Sequence, residues 1–275
     1  MTSFRAEPAS AEVEKQGAGF WPLGPGAAGL TKPFAMLAVA VVVLSAWQIL
    51  PGALGVPRFI IPTPIDMWTE AQRMVLRDNL ARHFVSTAWT TVAGFMLGGL
   101  FGAGIGYLLS MSRFWESVLS PYILAMQIAP KVAFAPLFIM WFGYGFWPKL
   151  VTTILVVFFP ILVNVVQALR VADRDLINLA RAYAMTRAQT FWKILFPLSL
   201  PALMAGLRIG ATLAVIGVTV GELVGGNTGL GFLITYGEGQ SNTAMVFDAI
   251  VLLTAIGIVL YWIVGLIERR VLHYV

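Results

Sequence analysis

The chain has 275 residues, 59% hydrophobic and 11% charged, with a mean hydropathy of +0.83. Soluble domains hold about 45–50% apolar and about 25% charged residues, so a soluble enzyme is excluded; at about 20 apolar residues per crossing, about five to seven transmembrane helices fit. Cysteine is absent, which removes a disulfide framework, a thiolate metal site and a cysteine nucleophile together, and the formal net charge of +5 is read by position rather than as a nucleic-acid signal.

Residues 1–31 carry Glu7, Glu12, Glu14 and Lys15 in a Pro/Gly/Ala-rich stretch without signal-peptide order, and are expected to form a flexible tail. Residues 32–275 read as one transmembrane domain. Its first span is expected at about 34–52, followed by the Pro- and Gly-rich stretch 51–64 and an amphipathic, interface-lying helix from Ile65 to Arg82. No Asp, Glu, Lys or Arg lies between Arg82 and Arg113, which sets a second span at about 84–109. Within it Gly94, Gly98, Gly102 and Gly106 recur every four residues, so one helix face is stripped of side chains for close packing. The run Gly102-Ala103-Gly104-Ile105-Gly106 lies inside an apolar helix rather than after a strand, which argues against a dinucleotide loop.

A third span at about 118–142 is interrupted by Pro130, Lys131 and Pro136, and a fourth occupies about 150–169. The stretch 171–200 holds Asp173, Arg174, Asp175, Arg181, Arg187 and Lys193, too polar to insert, and reads as a loop of two short helices. A fifth span at about 201–224 contains Arg208 near its start, expected to snorkel, and Glu222 near its end. The sixth, at about 246–267, is closed by Glu268, Arg269 and Arg270. The Gly-rich segment between them suits a re-entrant gate or a flexible loop.

Six spans put both termini on one side. If that side is cytoplasmic, inside segments hold eleven Lys and Arg, and outside segments five: Arg58, Arg73, Arg77, Arg82 and Lys149. The positive-inside bias favours that orientation. Neither G-x-x-x-x-G-K-[ST] nor H-E-x-x-H occurs, so P-loop ATP hydrolysis and zinc-protease chemistry are not expected of this chain. His83 and His273 sit at segment boundaries and read as wet interfacial imidazoles. With no Ser/His or paired-carboxylate set in the spans, a non-catalytic chain is expected.

Asn178-Leu179-Ala180-Arg181-Ala182-Tyr183-Ala184, nine residues, then Ile194-Leu195-Phe196-Pro197 have the spacing of E-A-A-x3-G-x9-I-x-L-P. This resembles the coupling loop of binding-protein-dependent ABC importer permeases. Asn178 stands where the family usually has Glu, and Ala184 where it usually has Gly, a residue that tolerates positive φ as Ala does not. The resemblance covers roughly 57–274. Pro62-Thr63-Pro64, Pro130-Lys131-Val132-Ala133-Phe134-Ala135-Pro136-Leu137, Trp141-Phe142-Gly143, Phe158-Phe159-Pro160-Ile161-Leu162-Val163-Asn164 and Gly229-Leu230-Gly231 look like permeases for nitrate, sulfonate and taurine, and relatives for thiamine-pyrimidine and riboflavin precursors.

The resemblance implies an all-α, polytopic fold of the type I importer permease kind, with six transmembrane helices and cytoplasmic coupling helices, in the inner membrane of a bacterium. It further implies a cytoplasmic ATPase dimer that binds ATP and Mg, a second permease copy, most simply identical, and an extracytoplasmic substrate-binding protein. In the coupling loop Tyr183, Met185 and Phe191 would supply apolar contacts, Arg181 and Arg187 a charged rim, and Ala184 the turn.

Lys131, mid-span between two prolines, is expensive unless paired or wetted, and is the first candidate for the translocation pathway. Gln127 shares its face one turn earlier, Asn164 and Gln167 share a face of the fourth span, and Glu222 lies in the outer part of the fifth. For Lys131 and Glu222 a structural ion pair or interface role weighs equally with solute contact. For Asn164 and Gln167 an interhelical hydrogen bond is the simpler reading. A self-sufficient secondary transporter or channel is the alternative function, with Lys131 and Glu222 as its coupling groups.

Overall fold

The computed structural model describes residues 28–171 and 174–272. Most of the expected N-terminal tail, Asp173 and His273 lie outside the described residues. The chain divides into two units, 1–56 and 57–275, described separately.

The first unit contributes α1, Ala28–Ala53. It starts earlier than the expected span and carries Pro33 in its second turn. Its apolar side chains from Phe34 to Leu50 are largely exposed, as suits a helix solvated by acyl chains.

In the second unit α2, Pro64–Arg77, begins at a reciprocal cap. The Asp66 amide donates to the Thr63 hydroxyl at 3.3 Å, and the Asp66 carboxylate accepts from the Thr63 amide at 3.1 Å. The Thr63 hydroxyl also donates to that carboxylate at 2.7 Å, holding it below the usual carboxylate range. One face of α2 buries Met74 against Leu230, Leu233 and Met245, while Ile65, Trp68 and Leu76 are exposed. The expected single helix to Arg82 is instead broken at Asn79, which turns the chain at φ 49°, and α3, Leu80–Ser110, starts four residues before the expected span.

A further helix, α4, Arg113–Ile128, leads to a 3-10 turn, Lys131–Phe134, and α5, Ala135–Phe142. The two arms of the expected third span are bent by 80° at this break. Proline explains it: Pro130 lacks an amide to continue the α4 ladder, and its ring disfavours helical backbone at Ala129.

The central element is α6, Phe146–Arg170, which packs between α3 and α9, Phe196–Gly225. The glycine stripe of α3 meets it directly: a Cβ on Gly98 would stand 2.9 Å from Val157 Cβ, and one on Gly102 2.6 Å from the Phe158 carbonyl oxygen. On its other side α9 presents Gly206, Gly210, Gly217 and Gly221, a second smooth face that sequence reading did not single out. A Cβ on Gly221 would lie 2.7 Å from Lys149 Cα. Phe95, Val157, Ile161, Ala211 and Ala214 fill the core between these helices, joined by Leu260 and Val264 from the last helix, Thr243–Val271.

The chain continues through α10, Leu230–Gly239, and α11, Thr243–Val271. No strand occurs among the described residues. Five helices are long and apolar enough to cross a membrane, or six if the bent pair is one crossing. The expected spans fall on helices apart from Ala129 and Pro130 at the break, and α3, α6, α9 and α11 extend beyond the expected limits at both ends.

Candidate functional site

Three polar places stand out: the loop between α6 and α9, the opposite ends of the spans, and the break between α4 and α5. The first is called the loop end and the second the far end.

At the loop end α7, Arg174–Ala182, closes with a paired cap in which the Met185 amide donates to the Ala180 carbonyl and the Ala184 amide to the Arg181 carbonyl, each at 2.9 Å. This cap needs a left-handed residue, and Ala184 fills that position at φ 49°. A left-handed non-glycine residue costs about 1–2 kcal/mol. The four-residue helix α8, Arg187–Thr190, follows, capped reciprocally by Thr186 and Gln189, and a π-helical turn, Phe191–Leu195, runs into α9.

Arg181, Tyr183, Ala184 and Arg187 are exposed, Tyr183 to 76%, and Met185 is half-buried. Phe191 turns inward, with its ring edge-on to Tyr107 at 5.4 Å. The Tyr107 hydroxyl shares a hydrogen bond with Ser199 at 2.9 Å. Phe191 therefore fastens the loop to α3, while Trp192, 63% exposed and missed by sequence reading, joins Tyr183 among the loop's exposed aromatics. The strain at Ala184 makes an expected outcome: Ala184→Gly stabilises this turn by about 0.5–1 kcal/mol, the relieved strain minus the larger chain entropy of glycine. Slower amide exchange at Met185 checks it; unchanged or faster exchange contradicts it.

At the far end Glu222, on the last turns of α9, is fully buried. Lys149, on the first turn of α6, is 1% exposed and its Nζ stands 3.6 Å from Glu222 Oε1. This corrects the assignment of Lys149 to an outer loop. The exposed basic residues of that end are then Arg58, Arg73, Arg77 and Arg82, which sharpens the charge asymmetry. The ammonium also donates to the Thr228 carbonyl oxygen. Thr87 Oγ1 lies 2.9 Å from both Glu222 oxygens and accepts from the Leu230 amide at 2.8 Å, and the Gly231 amide donates to Glu222 Oε2 at 2.9 Å.

The network thus ties α3, α6 and α9 to the start of α10. Gly229 is required twice: its φ is 117°, and a Cβ there would overlap the Glu222 carboxylate. His83 lies 3.1 Å from both the Gly229 amide nitrogen and its carbonyl oxygen, through Nδ1. Its ring stacks on Phe232 at 5.7 Å. It is a half-buried brace on the Gly229 turn rather than the wet imidazole expected.

At the α4–α5 break Lys131 donates from Nζ to the Gln127 carbonyl oxygen at 2.6 Å and lies 5.2 Å from the Phe159 ring centroid. No carboxylate lies within 4.0 Å of it among the described residues. Asn164 donates to the Pro160 carbonyl at 2.8 Å and faces Gly206, where a Cβ would stand 3.2 Å away. Gln167 is exposed. The structure therefore brings Lys131 and Gln127 together, joins Glu222 to Lys149 rather than to Lys131, and keeps Asn164 and Gln167 apart from both.

The described residues form an all-helical bundle with several candidate membrane spans and a polar loop fastened between two of them. Residues 92–273 match the family described as binding-protein-dependent transport system inner membrane component, and the chain belongs to that family. It is 36% identical over 83% of its length to the riboflavin transport system permease protein RibX of Chloroflexus aurantiacus, covering 85% of that protein. To the formylaminopyrimidine transport permease protein ThiX of Halalkalibacterium halodurans it is 33% identical, over 83% of this chain and 90% of the relative. To SsuC of Bacillus subtilis, assigned to aliphatic sulfonate transport, it is 30% identical, over 86% of each chain. Among solved structures, a chain of the inward-facing MetNI methionine ABC transporter matches 70% of this chain and 95% of its own length, with a TM-score of 0.60 and 23% identity, a likeness of fold. The protein is a multi-pass membrane permease of the ABC transporter class, with the all-α type I permease fold.

Proposed function

We propose that this permease is the pathway-forming subunit of an ATP-driven bacterial importer. In this reading the loop end and both termini are cytoplasmic, and a partner ATPase dimer, which binds ATP and Mg, grips α7, the Ala184 turn and α8. A second copy of the chain completes the pathway. A substrate-binding protein delivers the solute at the far end. The observation that carries the reading is the exposed helix–turn–helix at 174–190, continuous with α9 through the π-helical turn and fastened to α3 by Phe191. A push on such a loop moves α6 and α9 together, because it joins both.

The proposed solute is a small organic anion of the sulfonate or taurine kind, or nitrate. Lys131 supports this: a cation without a carboxylate partner among the described residues, at a helix break inside the membrane, favours an anion. Gln127 on the same break, and Asn164, Gln167 and Glu222 on α6 and α9, remain pathway candidates, with the Glu222 carboxylate already engaged by Lys149. A pyrimidine or flavin vitamin precursor is the second reading, favoured by the names of two of the relatives.

Uptake in proteoliposomes carrying permease, ATPase and binding protein separates the two. Taurine or nitrate uptake is expected, and Lys131→Gln should lower it about tenfold, the worth of roughly one charge-assisted contact, without loss of the ATPase. Riboflavin uptake with no anion uptake would establish the second reading, and anion uptake unchanged in Lys131→Gln would remove Lys131 from the pathway.

A further inference from the structure

Between α9 and α11, toward the loop end, lies a cavity of about 260 Å³ lined by Arg208, Tyr261, Trp262, Gly265, Leu266 and Arg269. Arg208 does not simply snorkel: its Nε pairs with Glu268, and its Nη1 stands 3.4 Å from the Tyr261 hydroxyl. Its other amino group, Nη2, lies over Gly265, where an added Cβ would sit 3.4 Å away, and makes no hydrogen bond among the described residues. Glu268 balances the charge of Arg208, so the second guanidinium, Arg269, leaves the cavity net positive. Arg269 is exposed, with no carboxylate within 4.0 Å among the described residues.

A second cavity continues from the first. Tyr261 and Trp262 line both, and from them an apolar groove of about 630 Å³ runs between the same two helices past Thr212, Val215 and Ile258 to Ile234 and Ile250. Cavity and groove together follow about 16 Å of α9, from Arg208 to Thr219. Trp262 is 70% exposed at the junction, an amphipathic ring where a charged cavity meets an apolar groove.

A cationic cavity, an aromatic collar and an apolar groove in series match the three parts of one kind of molecule. We propose that this is a binding site for an anionic phospholipid, with the phosphate between Arg208 Nη2 and Arg269 and one acyl chain in the groove. Basic pockets between transmembrane helices recognise lipid headgroups by this chemistry. The continuous groove favours a lipid over a free phosphate-bearing solute, which would use the cavity alone. The site is independent of the direction of transport and of the solute.

The test is native mass spectrometry of the full-length permease from mixed micelles of phosphatidylglycerol and phosphatidylcholine with identical acyl chains. The wild type should retain phosphatidylglycerol preferentially. Arg269→Gln should lower that preference about fivefold, the value of one arginine near an anionic lipid surface. Thr254→Phe, which fills the groove, should weaken retention of the lipid while the chain still elutes as a folded species. Equal retention of both lipids by the wild type, or a preference unchanged in Arg269→Gln, would overturn the proposal. So would displacement of the lipid by millimolar inorganic phosphate, which would assign the cavity to a free solute.

Discussion

Lys149→Met should be the most damaging single substitution in the spans, lowering stability by about 3–5 kcal/mol, because it leaves the Glu222 carboxylate buried without its cation. Three features make the site unforgiving. Glu222 is fully buried. Its remaining partners, Thr87 and the Gly231 amide, are neutral donors. Gly221 packs α9 directly against Lys149 Cα, where a Cβ would stand 2.7 Å away, which fixes the two helices close together. The double variant Lys149→Met with Glu222→Gln should recover a large part of the loss, since removing both charges of a buried pair costs far less than removing one. Denaturant titration of the purified permease reads both values. The Thr228 carbonyl loses its donor as well, so protease cleavage at 225–239 should appear before global unfolding. A loss below about 1 kcal/mol would mean that the pair is not the lock it resembles.

Tyr183→Asp should release the partner ATPase while leaving membrane insertion intact. Tyr183 is 76% exposed beside the Ala184 turn, with nothing among the described residues to cover it. A buried aromatic anchor is worth about 2 kcal/mol or more at an interface, about thirtyfold in affinity, and an aspartate adds the desolvation of a charge. Arg187→Glu should act in the same direction through the rim, with a smaller and salt-dependent effect. Co-purification with the tagged ATPase measures both. Undiminished recovery with Tyr183→Asp would place the docking surface elsewhere. Phe191→Ala is the internal contrast: its ring packs on Tyr107, so it should loosen the loop's attachment to α3 and lower coupling more than docking.

Much of the fold was legible because helices in a membrane announce themselves locally. The uncharged run from Arg82 to Arg113 and the four-residue glycine spacing both describe α3, and each depends only on residues within that helix. Pro130 and Pro136 likewise announced a break, though not its 80° angle, which packing sets. Lys149 was misread for the opposite reason. Beside Pro148 and Gly145 it looks like loop, and the partner that makes its burial tolerable, Glu222, lies on another helix. His83 and Arg208 follow the same pattern, with partners at Gly229 and Glu268. Gly229-Leu230-Gly231 was visible as a motif, but its reason, room for a buried carboxylate, needed the tertiary structure. At Ala184 the departure from glycine suggested a disturbed turn. The cap is nonetheless made, because two backbone hydrogen bonds hold the left-handed residue in place.

The central claim is that this chain supplies a pathway and a lever but not the energy for transport. Reconstituted uptake tests it most directly. Proteoliposomes holding the permease with its ATPase and binding protein should accumulate solute only when ATP is present on the loop side, and those holding the permease alone should not accumulate it under any ion gradient. Accumulation by the permease alone would contradict the account.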